Sequence, residues 1–250
     1  MKFSSILATF AAASAIGLAA SASAETVKVG STPTGVPFTF LNTKTNKIEG
    51  AMVDMAHAVG KEAGFTVQIE AMPFSALIGS LTSKRIEMIS AAMFITDKRK
   101  QVIDFSQPIY QYGEGLMINK DAPKRKYTSL QDLKGLVVGV QVGTAFVDPL
   151  KKVDGIKEVK LYDGSADMIR DLNAGRIQAG ILDYPIAAYI LSQGKNPNVT
   201  LDKSYKPTVV GSIGMATNKG NTELMNRINK AISKLKADGS VDKIFKKWGL

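Results

Sequence analysis

Short apolar or β-branched runs alternate with stretches of helical periodicity along this chain, and the alternation starts twice. Thr26–Gly30 reads as a strand, Ala51–Gly64 carries apolar residues at helical spacing up to a terminating glycine, and Phe65–Ile69 alternates like a strand. Pro73-Phe74-Ser75 suits a helix start, and Ile86–Ala91 is strand-like again. After Tyr110 the pattern restarts. Strand-like runs fall at Leu116–Asn119, Val137–Val140, Val159–Tyr162 and Gln178–Leu182. Between them lie a short helix from Ser129 and a longer one over Ser165–Ala174, while Pro185 sits in the first turn of the next. Units of this kind and spacing predict an α/β fold of mainly parallel sheets flanked by helices.

An internal repeat supports two such sheets. Leu81-Thr82-Ser83-Lys84-Arg85-Ile86-Glu87-Met88 recurs 91 residues later as Leu172-Asn173-Ala174-Gly175-Arg176-Ile177-Gln178-Ala179. Each copy ends an amphipathic helix at a small or polar residue and starts a buried strand; the alternative is a chance recurrence of a common turn design. Beyond Val209–Met215, another strand-like run, the helical patterns Thr222–Ala237 and Val241–Trp248 need apolar partners that the first half can supply. The chain is therefore expected to cross near Tyr112–Leu116 and return near Val210–Gly214. That gives a first lobe of residues 25–112 and 213–250 and a second of residues 113–212. Gly113, Gly115, Gly211 and Gly214 punctuate the crossings and could absorb hinge rotation. A cleft between hinged lobes is where a small ligand binds.

Composition narrows the chemistry. With no cysteine, thiol catalysis, disulfides and thiolate metal sites are excluded. A single histidine, His57, leaves little material for metal or Ser-His chemistry, and its helical context predicts a partly exposed helix residue. No cofactor is expected. The net charge of +10 could signal nucleic acid or an anionic membrane. The lysines, however, interleave with apolar residues in the last two helical segments, which marks them as solvated helix faces, and no nucleic-acid partner is expected. At the start of the chain, Met1-Lys2-Phe3, an Ala-rich apolar run and Ala22-Ser23-Ala24 form the pattern of a secretory signal peptide over residues 1–24, cleaved after Ala24. The protein is expected to work outside the cytoplasm.

Ligands of open α/β sheets sit beyond the carboxyl ends of the strands, and four segments reach that position. In Ile95-Thr96-Asp97-Lys98-Arg99, Thr96 or Asp97 can cap a short helix that carries Arg99, a residue suited to gripping a carboxylate; the alternative is a solvated charge run. Gly139 to Phe146 reads as strand, turn and helix start, so the amides of Thr144 and Ala145 after Gly143 either form an anion site or simply turn the chain. Asp183 ends an apolar strand and either caps the next helix or pairs with an ammonium group. The loop Pro33 to Phe38 follows the first strand, and Phe38 and Phe40 read as core. Together the segments suggest a zwitterion site in which Arg99 and the Thr144/Ala145 amides hold a carboxylate and Asp183 an amine.

Over almost its whole length the chain resembles the periplasmic amino-acid-binding proteins of ABC importers, bacterial solute-binding protein family 3. The carriers are Pro37-Phe38, Phe74-Ser75-Ala76-Leu77-Ile78, Ile95 to Arg99, Asp104-Phe105-Ser106-Gln107-Pro108-Ile109-Tyr110, Gly139 with Gly143-Thr144, Leu172 to Asp183, and the ending from Ala237 to Trp248. The resemblance implies a two-lobed flytrap fold with two hinge crossings. Arg99 matches the family's carboxylate-binding arginine, Asp183 its ammonium-binding aspartate, and Gly143, Thr144 and Ala145 its anion-binding turn. Phe74 matches the position against the ligand side chain. It also implies a periplasmic monomer that delivers an amino acid or similar zwitterion to a membrane ABC permease driven by a cytoplasmic ATPase.

The departures lie in the cleft. Thr32 stands where basic-amino-acid binders often carry an acid, and Gly35 where they carry an aromatic ring. Ala91, Ala92 and Phe94 replace hydroxyl residues, so Phe74, Phe94 and Phe146 should give an unusually apolar wall. A neutral polar amino acid or a compact zwitterion such as an ectoine-like solute or an opine is expected. The alternative function is a secreted dehydratase of the cyclohexadienyl type, which acts on prephenate or arogenate; beyond Asp183 no acid-base residue stands out for it.

Overall fold

The computed structural model describes residues 25–250, so the expected signal peptide lies outside the described residues. Two sheets organise the chain, one per lobe. The first runs in the order Thr66–Ala71, Thr26–Ser31, Met88–Ile89, Ala216–Asn218, Ile103–Phe105. Thr26–Ser31 is parallel to both of its neighbours, whereas Ala216–Asn218 is antiparallel to both of its own. The second runs Glu158–Tyr162, Val137–Gln141, Ala179–Asp183, Tyr110–Asn119, Val199–Leu201, with Val210–Ile213 also paired to Tyr110–Asn119. Its first three strands are parallel to one another, and Tyr110–Asn119 is antiparallel to every strand it pairs with. The sheets are thus more mixed than alternation alone predicts. Tyr110–Asn119 and Ala216–Asn218, which carry the chain into the second sheet and back into the first, run opposite to the other strands of their sheets.

The repeat recurs in the backbone. Lys84 donates to the Leu81 carbonyl and Arg85 to that of Ser80, both at 2.9 Å. In the second copy Gly175 donates to Leu172 at 3.2 Å and Arg176 to Asp171 at 2.9 Å. Lys84 (φ 60°) and Gly175 (φ 72°) both occupy the left-handed region, natural for glycine and strained for lysine. Ile86 and Ile177 then turn fully into the core and fix the start of the next strand.

Helix Ala51–Ala63 shows how pattern becomes packing. Its residues Met52, Met55, Ala56 and Val59 recur at three- and four-residue spacing and are fully buried, and Gly64 (φ 79°) ends it in a left-handed cap. Each large buried side chain contributes about 1.5–3 kcal/mol relative to exposure, so Met55→Asp would break this face. His57 projects from the same helix and is exposed. Helices Thr222–Ala237 and Ser240–Lys247 return to the first lobe, where Ile228, Ile232 and Phe245 join the core. Among the described residues, no helix is long and apolar enough to cross a membrane.

The crossings lie side by side: Tyr110 pairs with Ile213 and Gly113 with Val210 across an antiparallel ladder. The glycines here also make close packing possible. Gly113, Gly115, Gly211 and Gly214 all lack positive φ. Space is what they supply: a Cβ on Gly113 would come within 2.6 Å of Pro207, and one on Gly211 within 2.7 Å of the Phe94 ring.

Candidate functional site

Thr96 caps the short helix Asp97–Lys100 by accepting the Arg99 N–H at 3.3 Å. This cap sets which of three consecutive cations turns inward. Lys98 and Lys100 are exposed, while Arg99 is only 8% exposed, so the solvated-run alternative holds for its neighbours and fails for Arg99 itself. Arg99 Nη1 donates to the Phe94 carbonyl at 2.7 Å and Nη2 to the Gly143 carbonyl of the other lobe at 2.9 Å. The guanidinium lies over the Phe74 ring, 5.6 Å from its centroid. Desolvation lowers its pKa to about 10, with Tyr112 and Asp183 acting in the opposite direction, so it stays charged at neutral pH.

Asp183 closes strand Ala179–Asp183 and occupies the N-cap position of helix Tyr184–Ser192, yet its side chain makes no capping hydrogen bond. Burial pushes its pKa up to about 6, Glu114 pushes the same way, and the Tyr112 hydroxyl and Arg99 oppose it. The Tyr112 hydroxyl also faces the Ala92 carbonyl at 3.1 Å, and its single proton can serve only one of these two acceptors at a time. Burial beside this carboxylate holds the phenol well above its ordinary pKa.

Arg99 and Asp183 line one cavity between the lobes. Phe74, Ala92, Phe94, Thr144 and Ala145 line it too. Gly143 stands just outside, joined to the site through its carbonyl bond with Arg99. The helix beyond this turn begins only at Val147, so Thr144 and Ala145 precede it and do not open it as the sequence suggested. The Thr144 hydroxyl donates to Gln141 O at 2.8 Å, and its N–H reaches the same carbonyl at 3.4 Å.

Sequence reasoning passed over several lining groups. Phe38 is core, as expected, yet it also borders the cavity, and Gln141, Thr39 and Ile186 were not singled out. The Thr32 and Thr39 hydroxyls meet at 2.7 Å. Thr39 and Ile186 lie inside an alternating strand and an apolar helix, where nothing local separates a cavity-facing residue from a core one.

The lobes also touch directly around the cavity. Lys98 Nζ meets Asp148 Oδ2 at 2.9 Å, and Ser165 Oγ donates to the Thr34 carbonyl at 2.7 Å. A buried cation and a half-buried carboxyl group, one from each lobe, therefore face one shared cavity. A dipolar guest satisfies both charges.

The sequence pattern of the bacterial extracellular solute-binding proteins, family 3, matches residues 27–250. The histidine-binding periplasmic protein of Escherichia coli (strain K12) is 32% identical, with 99% of this chain and 93% of that protein covered. Among solved structures, an ancestral arginine-binding protein bound to arginine superposes with a TM-score of 0.82 at 36% identity, covering 89% of this chain and 97% of that one. The ancestral amino-acid-binding protein AncCDT-1, a precursor of cyclohexadienyl dehydratase, superposes with a TM-score of 0.80 at 28% identity, covering 89% and 95% respectively. The chain belongs to the bacterial extracellular solute-binding proteins, family 3, and shares their two-lobed architecture.

Proposed function

We propose that this protein is an extracytoplasmic receptor that captures an amino acid or amino-acid-like zwitterion between its lobes and delivers it to an ABC permease. The observation that carries this reading is that Arg99 and Asp183, from different lobes, line one cavity. Arg99, supported by the Gly143-Thr144-Ala145 turn, takes the ligand carboxylate. Asp183 takes the amine, and Phe74, Phe94 and Ala92 form the wall. Because its two charged ends contact different lobes, the ligand favours the closed state and shifts the population toward it.

The same reading divides the chain into a lobe of residues 25–112 and 213–250 and a lobe of residues 113–212. It places the working protein in the periplasm as a monomer, after cleavage following Ala24. A thermal-shift screen over the amino acids and small zwitterions tests the function: a ligand present in excess raises the melting temperature by mass action. Absence of any shift, together with absence of heat in calorimetry, overturns it.

A second reading, a dehydratase acting on prephenate or arogenate, draws on the likeness to AncCDT-1 and on Asp183, which holds its proton up to a pH of about 6. Asp183 is the one carboxyl group among the lining side chains, so a second proton-transfer partner is missing from the cavity wall. Turnover of either acid by the purified protein would decide for this reading.

A further inference from the structure

We propose that the cavity selects a ligand with no net charge and excludes the cationic amino acids, even though the fold superposes on that of an arginine-bound relative. This inference rests on the zwitterion reading above and adds the class of the ligand side chain.

Of the fifteen residues lining the cavity, only Arg99 and Asp183 carry charge. The α-carboxylate and α-amine of an amino acid neutralise that pair and leave nothing for a third charge. Nearby carboxylates do not serve. Glu114 is buried and accepts from Tyr205 Oη at 2.7 Å, Thr208 N at 2.6 Å and Val209 N at 2.9 Å, so its oxygens are engaged outside the cavity. Asp148 is exposed and paired with Lys98.

The aromatic wall does not replace a missing carboxylate. Phe74 already carries the Arg99 guanidinium, and Phe94 packs against Tyr112 at 4.8 Å and Phe146 at 5.6 Å between ring centroids. A guanidinium or ammonium on the ligand side chain would lose its water and gain no counter-charge, and burial without a partner disfavours a charge strongly. A neutral side chain meets groups it can use. The Thr32–Thr39 hydroxyl pair offers hydrogen bonding, and Ile186 offers apolar contact. Gly35 keeps the space between them open, since a Cβ there would sit 3.4 Å from Thr32 Oγ1 and 3.5 Å from Ile186 Cδ1.

The test is calorimetric titration of the chain spanning residues 25–250, stripped of carried-over ligand, with each neutral amino acid and with L-arginine, L-lysine and L-glutamate. At least one neutral amino acid is expected to bind about a hundredfold or more tighter than all three charged ones. Arginine or lysine binding as tightly as the best neutral ligand overturns the inference and leaves the zwitterion site standing. If neither an amino acid of any charge nor a small zwitterion such as ectoine or an opine binds, the site reading falls and takes the inference with it. Thr32→Asp adds the missing carboxylate beside the Thr39 hydroxyl. Arginine affinity is expected to rise at least about tenfold in Thr32→Asp relative to the uncharged Thr32→Asn control. Equal arginine affinity in the two folded variants also counts against the inference.

Discussion

Arg99 reaches across the lobe boundary and donates from Nη2 to the Gly143 carbonyl at 2.9 Å while Nη1 holds Phe94 O on its own lobe at 2.7 Å. The group proposed to bind the ligand carboxylate is therefore also a tie between the lobes. Its geometry depends on both lobes being in place, so on the proposed reading closure and ligand recognition are coupled through one side chain.

Arg99→Ala is expected to abolish measurable amino-acid binding in calorimetry, a loss of about a hundredfold or more, because two or more charge-assisted hydrogen bonds vanish together. Circular dichroism should show an unchanged fold, since the carbonyls of Phe94 and Gly143 can accept water in an opened cleft. Arg99→Lys should recover little: an ammonium cannot reproduce the planar fork. Undiminished affinity in Arg99→Ala would remove Arg99 from the site.

Much of this was legible in the sequence, for identifiable reasons. Helix Thr222–Ala237 matches its predicted bounds because its apolar spacing is strong and Asn221 caps it, accepting from the Leu224 N–H. The expected strand over Ile86–Ala91 shrinks to Met88–Ile89 because its flanks turn into the cavity and the core. Ala92 (φ 52°) leaves the sheet altogether, in a conformation nothing in an apolar run announces. Arg99 and Asp183 could be picked out because each is a charge at the end of a strand-helix unit. Tyr112 and Glu114 carry no such mark. They sit in a crossing strand, and their importance comes from Asp183 lying opposite Glu114 in the neighbouring strand, a pairing that only tertiary structure creates.

The Asp183 carboxyl predicts a specific pH response. Its pKa in the unliganded protein is about 6, raised by burial and by Glu114 against the pull of Arg99 and the Tyr112 hydroxyl. A ligand ammonium beside it favours the ionised form, so binding below that value must first expel a proton. Affinity should be at its plateau above pH 6 and fall by close to about tenfold for each pH unit below it. The effect on unliganded stability has the opposite sign. A raised folded pKa contributes stability that is full below the unfolded carboxyl value and is lost as pH rises through about 6. Asp183→Asn should flatten both trends, seen by calorimetry and by thermal melts across pH 4–8. A pH-independent wild-type affinity over that range would contradict the assigned role.

The Lys98–Asp148 pair joins the lobes at the solvent-exposed edge, where both side chains are mostly exposed. Pairs of this kind contribute little, so Lys98→Ala should weaken ligand affinity by only about two- to fivefold. The difference from wild type should shrink as salt is raised toward 1 M, since screening weakens exposed charges. Restoration by the swapped pair Lys98→Asp with Asp148→Lys would separate a latch from a mere loss of local packing.

Glu114 ties the return segment to the crossing strand through Tyr205, Thr208 and Val209, and those three bonds use both of its carboxylate oxygens. Burial beside Glu114 also holds the Tyr205 phenol well above its ordinary pKa. Glu114→Gln keeps the shape but replaces one acceptor with an amide N–H, leaving a backbone donor without its partner. A stability loss of about 1–3 kcal/mol is expected, read as an earlier urea midpoint with unchanged slope. A purely structural tie would stop there. Glu114 also raises the Asp183 pKa through space, so the same substitution should move the midpoint of the pH-dependent affinity below 6. An unmoved midpoint in a folded Glu114→Gln protein would confine Glu114 to holding the crossing, with no electrical influence on the site.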